Sequence, residues 1–307
     1  MSQKITYPIE SSIPRLKAAL LQHHSVILHA PPGAGKTTRV PLAVLDIPPL
    51  QNGKIVMLEP RRIAAVSAAR WMARSLGEEA GQTVGYAIRF DTRISEKTRI
   101  EVVTEGVLTR RLQADPGLEG TALVIFDEFH ERSLHADLAL ALCLDIRKQL
   151  RGDLKILVMS ATLETGPLAA LLGNAPVISS SGRAFPVEER YLGAQIGTIA
   201  ERTASAVRTA LRETEGDVLV FLPGAGEIRA CAQELKAVVA GADSAVSLHP
   251  LFGDLPFEEQ ERAIMPAPDR RKIVLATNIA ETSLTIEGVR VVIDSGLTRV
   301  LRYDSSS

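Results

Sequence analysis

The chain has 307 residues, and its 35 basic and 36 acidic side chains leave a formal net charge of −1. An apolar fraction of 46% and a charged fraction of 23% are typical of a globular protein and exclude a disordered chain. The near-zero charge excludes a generally basic nucleic-acid binder. At roughly 150 residues per domain the length favours two domains, although a single α/β barrel would also fit.

The charge is unevenly distributed along the chain. Residues 1–180 contain 21 basic and 18 acidic side chains, whereas residues 181–307 contain 14 and 18. A basic surface, if there is one, is therefore predicted to be local and to lie in the first half.

The chain has two cysteines, Cys143 and Cys231, neither of which has the spacing of a metal ligand. Two such residues exclude a disulfide framework and are best explained as buried apolar side chains in a reducing compartment. The chain has no signal-peptide pattern and no run of about 18 apolar residues. These features predict a soluble cytoplasmic protein without a membrane partner.

Short apolar runs alternate with longer amphipathic stretches, which is typical of the α/β class. In the first half the predicted strands are residues 25–30, 54–59, 100–103, 123–127 and 155–161, and the predicted helices are 36–46, 61–76, 106–114 and 136–150. Strands are predicted again at 217–223, 245–249, 272–277 and 289–294. Because only 4% of the residues are aromatic, aliphatic cores of buried parallel sheets are expected.

A break in this pattern lies at residues 179–186, after which residues 187–192 open a new extended segment. The sequence therefore predicts one domain over residues 1–180 and a second over residues 181–307. The two halves have the same architecture, but only the first contains a phosphate-binding motif.

That motif follows the first predicted strand and precedes a helix. It reads Ala30-Pro31-Pro32-Gly33-Ala34-Gly35-Lys36-Thr37, followed by Thr38. This order of strand, glycine-rich loop and helix is the context of a P-loop, in which backbone N–H groups surround an anion. The lysine can reach the β- and γ-phosphates of a nucleotide, and the first threonine can bind Mg²⁺. The alternative is a plain Gly/Pro turn between strand and helix.

A second motif is an apolar strand that ends in two carboxylates, Asp127 and Glu128. The carboxyl end of a buried parallel strand lies beside a P-loop in this architecture. Asp127 could therefore hold Mg²⁺, and Glu128 could polarise the attacking water as a general base. The alternative is a strand with a solvated end.

The four residues Asp127-Glu128-Phe129-His130 resemble motif II of the DExH-box helicases of superfamily 2, with Phe129 where the DEAH branch has alanine. Further stretches resemble other motifs of that family: residues 59–62 motif Ia, 104–106 motif Ib, 160–162 motif III, 216–228 motif IV and 276–285 motif V. Residues 30–42 and 249–261, together with Phe129, most resemble one bacterial type within the family.

The resemblance implies a fold of two tandem RecA-like P-loop NTPase domains, each a parallel sheet with helices on both faces, the second lobe being incomplete. It also implies the cofactors ATP and Mg²⁺, bound between the lobes, and a single-stranded RNA partner, with DNA left open. Catalysis would depend on Lys36, Asp127, Glu128 and His130. The metal would be held by Thr37, Asp127 and Glu128.

The resemblance implies further roles for individual residues. Nucleotide binding would involve Pro32, Gly33, Ala34, Gly35, Lys36, Thr37 and Thr38, with Arg70 stacked on the base. The nucleic-acid phosphates would be held by Arg61, Arg62, Thr104, Gly106, Thr277 and Asn278. Ser160 and Thr162 would couple hydrolysis to lobe movement, and His130 would bridge the nucleotide to the second lobe. The alternatives are an exposed helix face for the arginines and capping roles for the threonines.

The family completes its catalytic site with motif VI, Gln-Arg-x-Gly-Arg-x-Gly-Arg, and these 307 residues contain no such stretch. Residues 297–304 resemble the first strand of the β-hairpin in the second lobe of that family. The expectation is a portion of a longer helicase that binds ATP with Mg²⁺ but hydrolyses it weakly, because an arginine finger contributes about 10³–10⁵ in rate. The rival is a nucleotide-dependent nucleic-acid-binding module with little catalysis. A P-loop metabolic kinase would not explain residues 160–162 or 276–285.

Overall fold

The structure is a computed structural model, and it describes residues 7–162, 165–182, 186–193, 196–240, 245–267, 269–281 and 286–299. The chain divides into two compact units, residues 1–185 and 186–307. Each has its own sheet and its own buried cluster of aliphatic side chains.

The sheet of the first unit is almost entirely parallel. Over the described residues its strands are β1 (Ser25–His29), β2 (Lys54–Glu59), β3 (Val84–Ile88), β4 (Asp91–Arg93), β5 (Ile100–Thr104), β6 (Thr121–Phe126), β7 (Lys155–Ser160) and β8 (Val177–Ser179). Their order across the sheet is β4-β3-β5-β2-β6-β7-β1-β8, and only β4 runs antiparallel to its neighbour. The central strands are buried along nearly their whole length, which explains their uninterrupted Val, Ile and Leu content.

Helices cover this sheet and connect its parallel strands. They are α1 (Ile13–Gln22), α2 (Lys36–Ala43), α3 (Arg62–Ser75), α4 (Glu105–Ala114), α5 (Leu134–Gln149) and α6 (Gly166–Leu171). Because β1, β2, β5, β6 and β7 are parallel, their carboxyl ends lie along one edge of the sheet. All five sequence motifs of the first half follow those strand ends, so the sheet brings them together at that edge.

The second unit has a smaller sheet, which is entirely parallel over the described residues. Its strands are β9 (Asp217–Phe221), β10 (Val246–Leu251), β11 (Arg271–Ala276) and β12 (Val289–Asp294), in the order β10-β11-β9-β12. Its helices are α7 (Ile199–Glu213), α8 (Ala225–Glu234), α9 (Lys236–Val239) and α10 (Phe257–Ile264). A capping box between Thr198 and Glu201 sets the start of α7 by satisfying its first backbone donors.

The expected α/β class with parallel sheets is confirmed. The nine strands predicted between residues 25 and 294 are all present, with ends that differ by a few residues. The sequence did not predict β3, β4 or β8, because β4 and β8 are only three residues long and β3 is interrupted by Gly85. The predicted extended segment at residues 187–192 forms no strand. Of residues 297–304, which resemble a strand of the family, residues 297–299 form no strand and residues 300–304 lie outside the described residues.

The two cysteines are free and buried, as expected, and burial raises the pKa of Cys143 to about 12 and that of Cys231 to about 11. Among the helices that the structure describes, none combines the length and the apolar character needed to cross a bilayer.

Candidate active site

The phosphate-binding loop connects β1 to α2 at the carboxyl edge of the first sheet. Gly33 and Gly35 have φ angles of +74° and +91°, which other residues rarely adopt, so both positions require glycine. Gly35 is the N-cap of α2, and Lys36 is the first residue of that helix. Ala30, which departs from the usual first glycine, is fully buried and donates its N–H to the Ser160 carbonyl at 3.0 Å. The loop therefore lies over the helix N-terminus, as phosphate binding requires.

Lys36 is paired with Glu128 in the interior. The Nζ and Oε1 atoms are 2.8 Å apart, and the two side chains are 4% and 8% exposed. Burial alone would lower the pKa of Lys36, but Asp127 and Glu128 together outweigh burial and raise it. The lysine therefore stays positively charged, and it places that charge beside the loop that is predicted to bind phosphate.

Glu128 combines a raised pKa with an unusual backbone conformation. Burial and the neighbouring Asp127 raise its pKa to about 7, against the lowering effect of Lys36. Its backbone is left-handed, with φ +47° and ψ +34°, a costly conformation for a residue with a side chain. Strain of this kind and a pKa near neutrality are both typical of catalytic groups.

Asp127 lies against Thr37, the threonine of the loop. The hydroxyl of Thr37 donates to Asp127 Oδ2 at 2.5 Å, and the other carboxylate oxygen accepts from the Glu128 N–H at 2.8 Å. The described residues contain no group of three or more His, Cys, Asp or Glu side chains suited to a metal ion. One hydroxyl and one carboxylate fit Mg²⁺, which usually keeps waters and phosphate oxygens as its remaining ligands.

A third carboxyl group, that of Glu59, lies beside this pair at the end of β2. It is 1% exposed, and neither of its oxygens finds a hydrogen-bond donor among the described residues. Burial and then the neighbouring Asp127 raise its pKa well above the usual value. A proton on Glu59 would supply the missing donor towards Asp127. The sequence analysis placed Glu59 in the motif Ia stretch but not among the site residues. It ends the strand next to β6 and so occupies a position like that of Asp127.

His130 and the Ser160–Thr162 stretch lie next to each other at the ends of β6 and β7. The Ala161 N–H donates to His130 Nδ1 at 3.3 Å, and Ser160 Oγ lies 3.3 Å from Thr162 Oγ1. Burial and Lys36 lower the pKa of His130, which favours the neutral ring. The residues that the resemblance assigns to coupling therefore contact each other, although their role in movement stays a prediction.

Phe129, where the DEAH branch has alanine, is buried. Its ring packs edge-on against Phe126 with the centroids 6.1 Å apart, and the Arg132 guanidinium lies 5.6 Å from its centroid. The aromatic ring therefore fills the core beneath the strand end that carries the two carboxylates.

The predicted nucleic-acid contacts of the first unit lie at the ends of two neighbouring strands. Glu59 and Thr104 are register partners on β2 and β5, so Arg61 and Thr104 are brought to the same edge. Arg62 and Gly106 are exposed there. Arg61 Nη2 lies 3.3 Å from Oε2 of Glu131, the last residue of the 3₁₀ turn after β6. No local sequence pattern predicts this contact between the motif Ia and motif II regions.

In the second unit the predicted contacts follow β11. Thr277 is half-buried and occupies the N-cap position of the short 3₁₀ turn Asn278–Ala280, but its side chain makes no capping hydrogen bond. Asn278, the first residue of the turn, is exposed. Residues 282–285 of the motif V stretch lie outside the described residues. The roles of these two side chains in nucleic-acid binding stay predictions.

Arg70, the predicted base-stacking residue, lies on α3 next to the Tyr86 hydroxyl, where it lowers the pKa of that group. Burial and Asp91 raise the pKa of Tyr86 by more than Arg70 lowers it, and the Tyr86 hydroxyl donates to Asp91 at 2.9 Å. Arg70 is therefore held among side chains of the protein, and base stacking by it stays a prediction.

Comparison with known proteins places this geometry in a family. The sequence model described as "DEAD/DEAH box helicase" matches residues 12–170, and that of the "Helicase conserved C-terminal domain" matches residues 202–305. Over 299 residues the chain is 52% identical to the "ATP-dependent RNA helicase HrpB" of Escherichia coli (strain K12). The aligned region covers 97% of this chain and 36% of that protein. It is 37% identical over 305 residues to the "ATP-dependent RNA helicase HrpA" of Borreliella burgdorferi, with coverage of 98% and 37%.

Solved structures agree with the sequence comparison. A crystal structure of the E. coli DEAH/RHA helicase HrpB superposes with a TM-score of 0.86 at 50% identity, covering 97% of this chain and 38% of that one. A crystal structure of the E. coli DExH-box NTPase HrpB superposes with a TM-score of 0.76 at 50% identity, covering 99% and 37%. The chain thus spans a little over a third of the length of these relatives. The expected resemblance to DExH-box helicases of superfamily 2 is confirmed.

Proposed function

Because the chain belongs to the DEAD/DEAH box helicase family, we propose that it binds ATP with Mg²⁺ at the first unit and grips single-stranded RNA. In the whole protein, hydrolysis to ADP and phosphate would drive movement along RNA in the cytoplasm. The observation that carries the proposal is the buried contact between Lys36 and Glu128, next to that between Thr37 and Asp127. It joins the residue types of phosphate binding, metal binding and water activation at one strand edge.

Each residue of the site has a proposed task. Lys36 supplies a positive charge to the phosphate chain, and the loop of Gly33 to Thr38 surrounds it with backbone donors. Thr37 and Asp127 would hold Mg²⁺, which when bound neutralises charge that develops on the phosphoryl oxygens. Glu128 accepts a proton from the attacking water, for which a pKa of about 7 is well matched.

RNA binding is proposed to depend on phosphate contacts rather than on base contacts. Arg61 and Thr104 lie on adjacent strand ends of the first unit. Phosphate contacts position a strand without reading its sequence, and backbone donors need no net positive charge. A chain with a net charge of −1 is therefore compatible with this function.

The second candidate is a nucleotide-dependent RNA-binding module with little hydrolysis. It is favoured by one sequence observation, since residues 1–307 contain no motif VI and therefore no arginine finger of that type. Both candidates require the same nucleotide site, so they differ only in turnover.

The test is ATP turnover by the 307-residue chain with and without single-stranded RNA, compared with Glu128→Gln. Removal of the general base is expected to lower turnover by about 10²–10⁴-fold. Glu96→Gln, an identical change at an exposed position of the same unit, is the matched control and should leave turnover unchanged. Equal rates for the chain and Glu128→Gln would contradict the role of Glu128. Robust RNA-stimulated turnover would reject the second candidate.

A further inference from the structure

The segment that precedes the first helix lies directly on the phosphate-binding loop. We call residues 7–12, which include the 3₁₀ turn Pro8–Ser12, the N-terminal strap. The Ile9 N–H donates to the Ala34 carbonyl at 3.1 Å, so the strap is hydrogen-bonded to the loop itself. Neither the P-loop motif nor the proposed mechanism accounts for this contact.

The aromatic ring of Tyr7 covers Gly35, the residue immediately before Lys36. A methyl group placed on the Cα of Gly35 would lie 3.0 to 3.1 Å from the Cβ, Cγ and Cδ1 atoms of Tyr7. Gly35 also has a φ of +91°. The ring therefore packs against the backbone at the point where the loop turns into α2.

Two further side chains hold that ring in place. The Arg39 guanidinium carbon lies 4.6 Å from the centroid of the Tyr7 ring and 5.1 Å from that of Trp71, within the range of a cation–π contact. The rings of Tyr7 and Trp71 meet edge-on, with their centroids 6.2 Å apart. Arg39 belongs to α2 and Trp71 to α3, so Tyr7 links the strap to both helices beside the loop.

The strap is anchored independently of Tyr7. Ile9 is fully buried. The Ser180 hydroxyl donates to the Pro8 carbonyl at 3.3 Å, and that of Ser12 donates to the Ser179 carbonyl at 3.4 Å. Loss of the Tyr7 ring would leave these contacts in place, so the strap should remain docked while the loop loses its cover.

We propose that Tyr7 is a positioning residue of the nucleotide site, which holds Gly35 and thereby Lys36 in the conformation that accepts the phosphate chain. The inference rests on the proposed function, namely that this loop binds ATP. A loop already held in its binding conformation loses less conformational freedom when the ligand binds. Because Tyr7 acts through the loop, it should affect ATP and GTP to the same extent.

The experiment measures the Kd of ATP and of GTP, each with Mg²⁺, by titration calorimetry on the 307-residue chain and three variants. Tyr7→Ala is expected to raise the Kd of both nucleotides by about 3- to 10-fold, which corresponds to the free-energy cost of ordering one side chain or loop on binding. Tyr7→Phe keeps the ring and should bind within about twofold of the unchanged chain. Tyr191→Ala, at an exposed tyrosine of the second unit, is the control and should have no effect.

A steady-state measurement separates positioning from a purely structural role. Tyr7→Ala should raise the KM for ATP while kcat changes less than twofold, because the loop contacts substrate and transition state alike. The inference is overturned if Tyr7→Ala binds as the unchanged chain does, or if it loses thermal stability without losing affinity. It is also overturned if Tyr7→Ala weakens the binding of ATP but not that of GTP, because Tyr7 would then contact the base. Failure of the unchanged chain to bind any nucleotide would instead reject the proposed function.

Discussion

Lys36 Nζ lies 2.8 Å from Glu128 Oε1, although the two residues are 92 positions apart in the sequence. Both side chains are buried, and each changes the protonation of the other: Lys36 lowers the pKa of Glu128, and Glu128 raises that of Lys36. The lysine of the phosphate loop and the proposed general base are therefore one electrostatic unit, and a change at either residue alters both.

Lys36→Ala should remove the charged donor for the phosphate chain. A hydrogen bond to a charged group contributes about 1.5–3 kcal/mol, so the affinity for ATP with Mg²⁺ is expected to fall about 10- to 100-fold. Calorimetry measures this loss. Lys17→Ala is the control, since Lys17 forms a more exposed ion pair with Asp46 at 2.7 Å. Equal affinity in the two variants would contradict the phosphate role of Lys36.

ATP hydrolysis should depend on pH through Glu128. The general base acts as a carboxylate, and with a pKa of about 7 it is increasingly protonated as the pH falls below 7. kcat/KM for ATP is therefore expected to drop about tenfold per pH unit well below pH 7 and to level off above about pH 8. Nucleotide affinity measured at the same pH values separates binding from chemistry. A flat profile between pH 5.5 and 8.5, at unchanged affinity, would argue against Glu128 as the base.

Glu59→Gln should change how the stability of the first unit depends on pH. Because burial raises the folded-state pKa of Glu59, the folded state binds its proton more tightly than the unfolded state does. The resulting stability is present at pH values below the unfolded pKa and is lost as the pH rises towards the folded pKa. Glutamine does not ionise, so no buried carboxylate has to form as the pH rises. The free energy of unfolding of the variant should therefore equal that of the unchanged chain near pH 4.5 and exceed it at pH 8.

The measurement can be confined to the first unit, because Trp71 is the only tryptophan of the chain. Denaturant unfolding followed by its fluorescence reports on that unit and gives the free energy at each pH. Glu96→Gln, at an exposed position, should leave the pH dependence unchanged. A variant at Glu59 that is less stable than the unchanged chain at pH 8 would show that its charge is needed in the fold.

Arg61→Ala should weaken RNA binding at the edge shared by β2 and β5. One lost phosphate contact lowers the slope of log affinity against log salt by about 0.7 for a single strand, without changing base preference. Fluorescence anisotropy with single-stranded oligonucleotides of different sequence, at several salt concentrations, tests both points. Arg15→Ala, at an exposed position on α1, is the control. An unchanged salt slope would exclude a direct phosphate contact by Arg61.

Much of the candidate site could be read from contiguous residues. The loop from Ala30 to Thr37 is a local motif, because both the glycine conformations and the lysine that it needs are adjacent in sequence. The Asp127–Glu128 pair is likewise local, as it follows an apolar strand directly. Parallel strands then place both motifs at one sheet edge, which follows from the α/β pattern alone.

Contacts between residues distant in sequence required the tertiary structure. Glu59 becomes a third carboxyl of the site only because β2 pairs with β6, which buries it beside Asp127. Arg61 meets Glu131 across 70 residues. No local pattern specifies such pairs, since strand order decides which strand ends are neighbours.

The sequence by itself determined which residue types are available for the proposed nucleotide site, because phosphate-binding and metal-binding motifs consist of residue types at short spacing. Only the tertiary structure decided how that chemistry is tuned. Burial beside Asp127 brings the pKa of Glu128 to about 7, and packing of Tyr7 on Gly35 connects the N-terminal strap to the loop. Desolvation and van der Waals contact both depend on which atoms surround a group in space, and the order of residues along the chain does not state this.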